Sequence, residues 1–194
     1  MPNWCNNNIT LTHPDPAMIR RAKTAFAEGR LLDEFIPCPQ ELRDTVAGSH
    51  SDPVKKAALE AQEKANVAKY GYKNWYDFCT NEWGTKWDIG GADDTLFSPM
   101  EETPDSIMEA SFESAWAPPC DAYEKLQGVG FSIKASYYEP GMNFCGMWVD
   151  GDDDHYDLCD MTSAEVKALI PHELDELMGI SENMEEIEAM EAEG

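Results

Sequence analysis

Residues 130–150, "GFSIKASYYEPGMNFCGMWVD", have the clearest strand pattern in this chain. Apolar and polar residues alternate on both sides of Glu139-Pro-Gly-Met-Asn143, and this period of two predicts a pair of β-strands. Proline and glycine between two such runs are typical of a tight hairpin connection. The sequence therefore predicts an antiparallel sheet that contains this hairpin.

Other alternating segments extend the predicted sheet. One is residues 6–13, and another is residues 108–116, which end just before a proline pair that opens a helix over 120–127. Residues 83–87 place tryptophan, threonine and tryptophan two positions apart, so they are a further candidate strand whose indoles would share one face.

Helical patterns occupy the stretches between these strands. Asp15 before Pro16 has the pattern of an N-cap followed by proline at the first helical position, which predicts a helix to about Glu28. Helical sequences also form an inserted region at about 53–80. This order of elements predicts an α+β fold, in which a two-layer sandwich has an antiparallel sheet with helices on one face.

The composition changes after Val149, so we divide the chain into a domain over residues 1–150 and an acidic helical extension over residues 151–194. We interpret residues 150–160 as a solvated acidic turn. Thr162 and Glu165 then have the spacing of a capping box. We expect the last dozen residues to be frayed or disordered, because they have few apolar residues and many carboxylates.

The net charge is extreme for 194 residues. It is −24, and residues 150–194 contain 16 acidic residues against one lysine. Direct binding of nucleic acid is disfavoured, because phosphates would meet like charge. The same field favours basic partners, such as a basic host protein or a nucleic-acid-binding protein.

Six cysteines occur without any C-x-x-C pair, and no apolar run is long enough to span a membrane. No secretory signal precedes them, so we expect reduced, mostly buried thiols in a cytoplasmic protein. Cys38 and Cys120 are the two whose positions could lower a thiol pKa. The acidic run lacks the glycine and glutamate spacing of a calcium loop, and no phosphate-binding loop is present, so we predict neither a metal site nor a cofactor.

Four ordered blocks carry a family resemblance. They are "MPNWCNN" at residues 1–7, "WGTKWD" at 83–88, "SFESAWAPP" at 111–119 and "YYEPGMNFCG" at 137–146. Together they resemble the YubB-like ferredoxin-like family, which is encoded on plasmids, phages and other mobile elements. The resemblance implies a ferredoxin-like α+β domain without an iron–sulfur cluster and a regulatory role. It implies no catalytic residues, and it does not extend beyond about residue 150.

Three functional hypotheses follow. The first is a non-enzymatic protein that binds a basic partner through an acidic surface and inhibits a host defence or nucleic-acid-processing factor by imitating nucleic acid. The residues of this surface would be Asp152, Asp153, Asp154, Asp157, Asp160, Glu173, Asp175 and Glu176. The second is a ligand-binding or enzymatic cleft lined by Trp83, Trp87, Trp116 and Tyr138. The third is a homodimer formed through Leu174, Leu177 and Met178.

Overall fold

The computed structural model describes residues 2–91 and 106–192, which form five strands and nine helices. The strands are β1 (Trp4–Thr12), β2 (Ile107–Ala115), β3 (Ser132–Glu139), β4 (Phe144–Val149) and β5 (Asp152–Asp157). The helices are α1 (Pro16–Ala27), α2 (Leu31–Phe35), α3 (Gln40–Arg43), α4 (Pro53–Tyr70), α5 (Trp75–Glu82), α6 (Cys120–Gly128), α7 (Ser163–Leu169), α8 (His172–Met178) and α9 (Ile180–Ala192). None of the helices described here is both long and apolar enough to cross a membrane.

All five strands form one antiparallel sheet in the order β2-β1-β3-β4-β5. The predicted α+β class and the β3–β4 hairpin are confirmed. Since β2 and β3 both run antiparallel to β1, they are parallel to each other, and α6 connects them. This arrangement is a split β-α-β unit, with β1 lying between its two strands.

The main core lies between one face of the sheet and helices α1, α2 and α6. From the sheet, Leu11, Phe112 and Trp148 are almost completely buried in it. Asp15 caps α1 as predicted, because its carboxylate accepts the N–H of Ala17 at 2.9 Å. Tyr123 of α6 lies 5.3 Å from Trp148 between ring centroids, so this helix is anchored to β4 by aromatic packing.

Helices α7–α9, which lie in the predicted acidic helical extension, pack on the opposite face of the sheet from the main core. Their apolar residues form a second cluster with Tyr138 and Cys145. The predicted capping box is present at Thr162. Glu188 accepts hydrogen bonds from the backbone N–H and hydroxyl of Ser163, so α9 is held to the start of α7 and is helical to Ala192.

Two local predictions also need correction. Residues 83–87 are not a strand, because Gly84 has a φ of +77° and the segment after α5 is irregular. The acidic segment interpreted as a solvated turn contains strand β5. Asp150 and Gly151 both have positive φ, at 46° and 106°, and they form the two-residue loop of a β4–β5 hairpin. The sheet therefore continues beyond residue 150.

Candidate functional sites

Strand β5 presents the first group of predicted site residues. It pairs with β4 and lies at the edge of the sheet, and Asp152, Asp153, Asp154 and Asp157 are all exposed on it. Because side chains alternate along a strand, Asp152 and Asp154 project from one face and Asp153 and Asp157 from the other. Carboxylates two positions apart on one face are about 7 Å apart. Asp160 is exposed in the loop that follows.

The environment of these carboxylates differs from one to the next. Asp153 accepts a hydrogen bond from the buried Tyr137 hydroxyl at 2.7 Å, which fixes its orientation. Burial and then this contact raise the pKa of Tyr137, so its hydroxyl keeps its proton. Asp157 accepts the N–H of Cys159 at 2.9 Å, and this bond lowers the pKa of its carboxyl group. The lowered pKa keeps the Asp157 carboxyl group charged at neutral pH.

The three α8 carboxylates differ in their surroundings. Glu173 is exposed and accepts a hydrogen bond from Lys134 at 2.8 Å, which lowers the pKa of its carboxyl group. Glu176 is exposed beside His172. The prediction that Asp175 belongs to an exposed acidic surface was wrong. Asp175 is buried, and it accepts two 2.7 Å hydrogen bonds from the N–H and hydroxyl of Ser181, which tie α8 to α9.

The three residues of the predicted dimer contact also differ in exposure. Leu174 is fully buried in the second cluster, and Met178 lies beside Asn8, whose amide nitrogen is 3.1 Å from its sulfur. Leu177 is exposed. Because Leu174 already packs within this chain, the predicted three-residue surface is not available to a second copy.

The structure separates the four residues of the predicted aromatic cleft. Trp83 is buried and donates its indole N–H to the carbonyl of Ile36 at 3.0 Å, so it belongs to the core. Tyr138 is buried with the helices on the opposite face of the sheet. Trp87 and Trp116 remain, with 41% and 40% of their surfaces exposed. The cleft in its predicted form is therefore not assembled.

Trp87 and Trp116 instead belong to a smaller cluster organised around Lys86. The Lys86 ammonium lies 4.4 Å from the Trp87 ring centroid, 5.3 Å from that of Trp116 and 5.9 Å from that of Tyr76. The Tyr76 and Trp116 rings meet edge to face at 6.4 Å and 88°. We call these three rings the aromatic cage. No pattern in the sequence indicated that Tyr76 would join the two tryptophans.

Hydrogen bonds in the chain hold the cage together. The hydroxyl of Thr85 donates to the carbonyl of Ala115 at 3.2 Å and accepts the N–H of the same residue at 3.1 Å. This double contact places the following residues of the two segments, Lys86 and Trp116, next to each other. Trp116 has a φ of +68°, a left-handed conformation that costs a bulky residue about 1–3 kcal/mol, and its N–H donates to Asn3 at 2.9 Å.

A groove of about 380 Å³ adjoins the cage, and Arg30, Arg43, Trp75, Lys86 and Trp87 contribute to its lining. Both guanidinium groups are already engaged. Arg30 pairs with Glu28 at 2.6 Å and with Glu34, and Arg43 pairs with Asp33. The groove therefore offers an anion little unpaired positive charge apart from Lys86.

The cysteines are free thiols, and four of the six are buried. Burial raises the pKa of Cys5, Cys79 and Cys145 to about 12. A position at the start of a helix such as that of Cys120 can lower a thiol pKa, but burial and then the charge of Asp153 raise the pKa of Cys120. Burial also raises the pKa of Cys38. Neither Cys38 nor Cys120 is thus an activated nucleophile at neutral pH.

Metal ligands are also dispersed. Within residues 2–91 and 106–192, no group of three or more histidine, cysteine, aspartate or glutamate side chains converges as a metal site would require. The carboxylates of β5 point to both sides of the strand, which explains why so acidic a segment forms no such cluster.

Comparisons with known proteins give a limited result. No protein-family model matches the chain, and no curated protein matches it. A similar solved structure is the crystal structure of a protein api92 from Yersinia pseudotuberculosis, described with the family model DUF1281. The match covers 81% of this chain and 98% of that chain, at 11% identity and a TM-score of 0.43. Similarity at this level identifies no functional residue in this chain.

Proposed function

We propose that this protein is a non-enzymatic binding protein whose β5 hairpin contacts a basic surface of another protein. The observation that supports this most is the exposed group Asp152, Asp153, Asp154, Asp157 and Asp160. Among the described residues, no lysine or arginine forms an ion pair with any of these carboxylates, whereas Glu173 pairs with Lys134. The negative potential of β5 is therefore available to a partner.

Electrostatics gives such a surface a defined role. Exposed charges act over a Debye length of about 8 Å at physiological ionic strength. Within that range, a surface this acidic speeds the encounter with a complementary basic surface and repels other acidic proteins. Nucleic-acid phosphates are repelled for the same reason, so the partner is a protein rather than DNA or RNA.

The partner class follows from this complementarity. A basic surface that normally holds nucleic acid is the kind of site that a row of carboxylates would occupy, so the proposed partner is a nucleic-acid-binding protein of a host cell. We also propose that the chain is related to the YubB-like ferredoxin-like family that it resembles, that it is encoded on a mobile element and that it acts in the cytoplasm. Inhibition of a defence or processing factor would be the consequence.

The test compares two variants with the same net charge. Asp152→Asn, Asp153→Asn and Asp154→Asn together remove three charges from β5 and keep an acceptor for Tyr137. Glu182→Gln, Glu185→Gln and Glu186→Gln remove three exposed charges from α9. Binding of fluorescein-labelled deca-arginine is measured by anisotropy near 0.15 M salt. We expect the β5 variant to bind roughly tenfold more weakly and the α9 variant less than about threefold more weakly.

Equal losses in the two variants would mean that the peptide responds to total charge alone, and the proposed site would be rejected. Tight binding of a DNA duplex by the wild-type protein under the same conditions would also contradict the proposal. Circular dichroism of both variants confirms that each is folded before affinities are compared.

A further inference from the structure

The aromatic cage carries an inference beyond the proposed function. We propose that Tyr76, Trp87 and Trp116 form a binding site for an alkylammonium group, and that Lys86 fills this site when no ligand is present. Tyr76 lies in α5, Trp87 in the segment after α5 and Trp116 directly after β2, so the site does not use the carboxylates of the β5 hairpin.

The chemistry of the ligand follows from what the cage already holds. The face of an aromatic ring is negative, and it attracts a cation within about 6 Å of the ring centroid. The Lys86 ammonium meets this condition for all three rings, at 4.4, 5.3 and 5.9 Å. The rings are therefore spaced to hold an ammonium group, and methylation of that group would increase its contact area with them.

Lys86 can leave the cage, because nothing else in the described structure holds its charge. The lysines Lys69, Lys125 and Lys134 each form an ion pair with a glutamate. Lys86 has no carboxylate partner among the described residues, in a chain with 38 acidic residues. Lys86 is only partly buried and its ammonium is on a flexible stem, so an incoming cation has only the cation–π contacts to replace.

The backbone that carries Trp87 and Trp116 is held in place by hydrogen bonds. The Thr85 hydroxyl holds the Lys86–Trp87 segment to the end of β2, and Trp116 stays in its strained backbone conformation through the hydrogen bond to Asn3. Trp87 also contacts Trp4 at a centroid distance of 5.8 Å. A site whose walls are ordered in advance loses less entropy when a ligand binds.

An anionic aromatic ligand fits the same surface less well. Such a ligand would use Lys86 as a contact, but Arg30 and Arg43 in the adjoining groove are already paired with carboxylates. The net charge of −24 also lowers the local concentration of anions and raises that of cations. The two classes of ligand predict opposite effects when Lys86 is removed.

The experiment uses Lys86→Ala in the full chain, labelled with ¹⁵N and observed through the indole N–H signals of its six tryptophans. Tetramethylammonium and Nα-acetyl-lysine methylamide are titrated separately, which distinguishes a quaternary ion from a lysine side chain as the source of the group. We expect saturable shifts of Trp87 and Trp116 with at least one probe, and no shift of buried Trp83. Wild type should bind the same probe roughly tenfold more weakly, because Lys86 competes as a tethered ligand.

Three control variants complete the design. Lys64→Ala removes the same charge from an exposed position on α4, so it should bind as weakly as wild type. Lys86→Arg keeps a cation over the rings and should stay weak, and Trp87→Ala added to Lys86→Ala should abolish binding. The proposal is overturned if Lys86→Ala shows no saturable shift, or if Lys64→Ala gains as much. It is also overturned if wild type binds adenosine monophosphate at these indoles and Lys86→Ala does not.

Discussion

At the scale of single residues, the Thr85 side chain connects the segment after α5 to the end of β2. Its side chain is buried, and its one hydroxyl satisfies both the N–H and the carbonyl of Ala115. A buried backbone N–H without a partner costs about 1–3 kcal/mol. The contact also determines where Lys86 and Trp116 lie, so stability and the cage depend on the same hydroxyl.

We therefore predict that Thr85→Val lowers the free energy of unfolding by about 1–3 kcal/mol, because valine keeps the shape of threonine but not the hydroxyl. Thr85→Ser keeps the hydroxyl and loses one methyl group, which is worth roughly 0.8 kcal/mol. Urea denaturation measures both. If Thr85→Val were as stable as wild type, the hydroxyl would have no structural role. The Trp116 indole signal should move in Thr85→Val and stay in place in Thr85→Ser.

Residue-scale function was only partly predictable. The exposure of Asp152, Asp153 and Asp154 agrees with a run of charges that no apolar neighbour interrupts. The burial of Asp175 was not evident, because it depends on how α8 turns toward α9 after Gly179. The aromatic cage depends on contacts between segments about thirty positions apart in sequence, and a sequence pattern carries no information on such contacts.

At the scale of elements, the β4–β5 hairpin has the clearest unused signal in the sequence. Asp-Gly between two short strands is a strong indication of a two-residue turn in which both residues have positive φ. The acidic composition of residues 150–160 suggested a solvated turn instead. By contrast, the β3–β4 hairpin and the N-cap of α1 were predicted correctly, since periodicity and capping residues agreed there.

The hairpin turn can be tested with a Gly→Ala substitution in the turn and a control Gly→Ala substitution in α6. The two should change the free energy of unfolding in opposite directions. Gly151 has a φ of +106°, so Gly151→Ala should lower the free energy of unfolding by about 1–3 kcal/mol. Gly128, at the end of α6, does not have a positive φ, and a methyl group there would contact nothing within 4 Å. Gly128→Ala should therefore stabilise by about 0.4–1 kcal/mol. Denaturant titration of both variants decides the point, and a neutral Gly151→Ala would contradict the turn geometry.

At the scale of the whole molecule, each face of the sheet packs against an apolar cluster, and the helices that cover the two faces differ in charge. The main core packs against helices from residues 16–128, while the second cluster packs against α7–α9, within the region that contains 16 acidic residues and one lysine. The apolar cluster of Leu158, Val166, Leu174 and Ile180 must outweigh the repulsion among these carboxylates. The acidic charge of this C-terminal region therefore opposes the docking of α7–α9.

This opposition predicts a regional response to salt. The Debye length falls from about 30 Å at 0.01 M to about 8 Å at 0.15 M ionic strength, so added salt weakens repulsion among the α7–α9 carboxylates while burial of the apolar cluster persists. We expect amide protons of α7–α9 to exchange more slowly at the higher salt concentration, with a smaller change in β1 and β3. The Glu182→Gln, Glu185→Gln and Glu186→Gln variant should reproduce part of that protection at low salt, because it removes the repulsion directly. Hydrogen exchange with mass spectrometry measures both effects, and a uniform change over the whole chain would show that the charge of the C-terminal helices does not limit their docking.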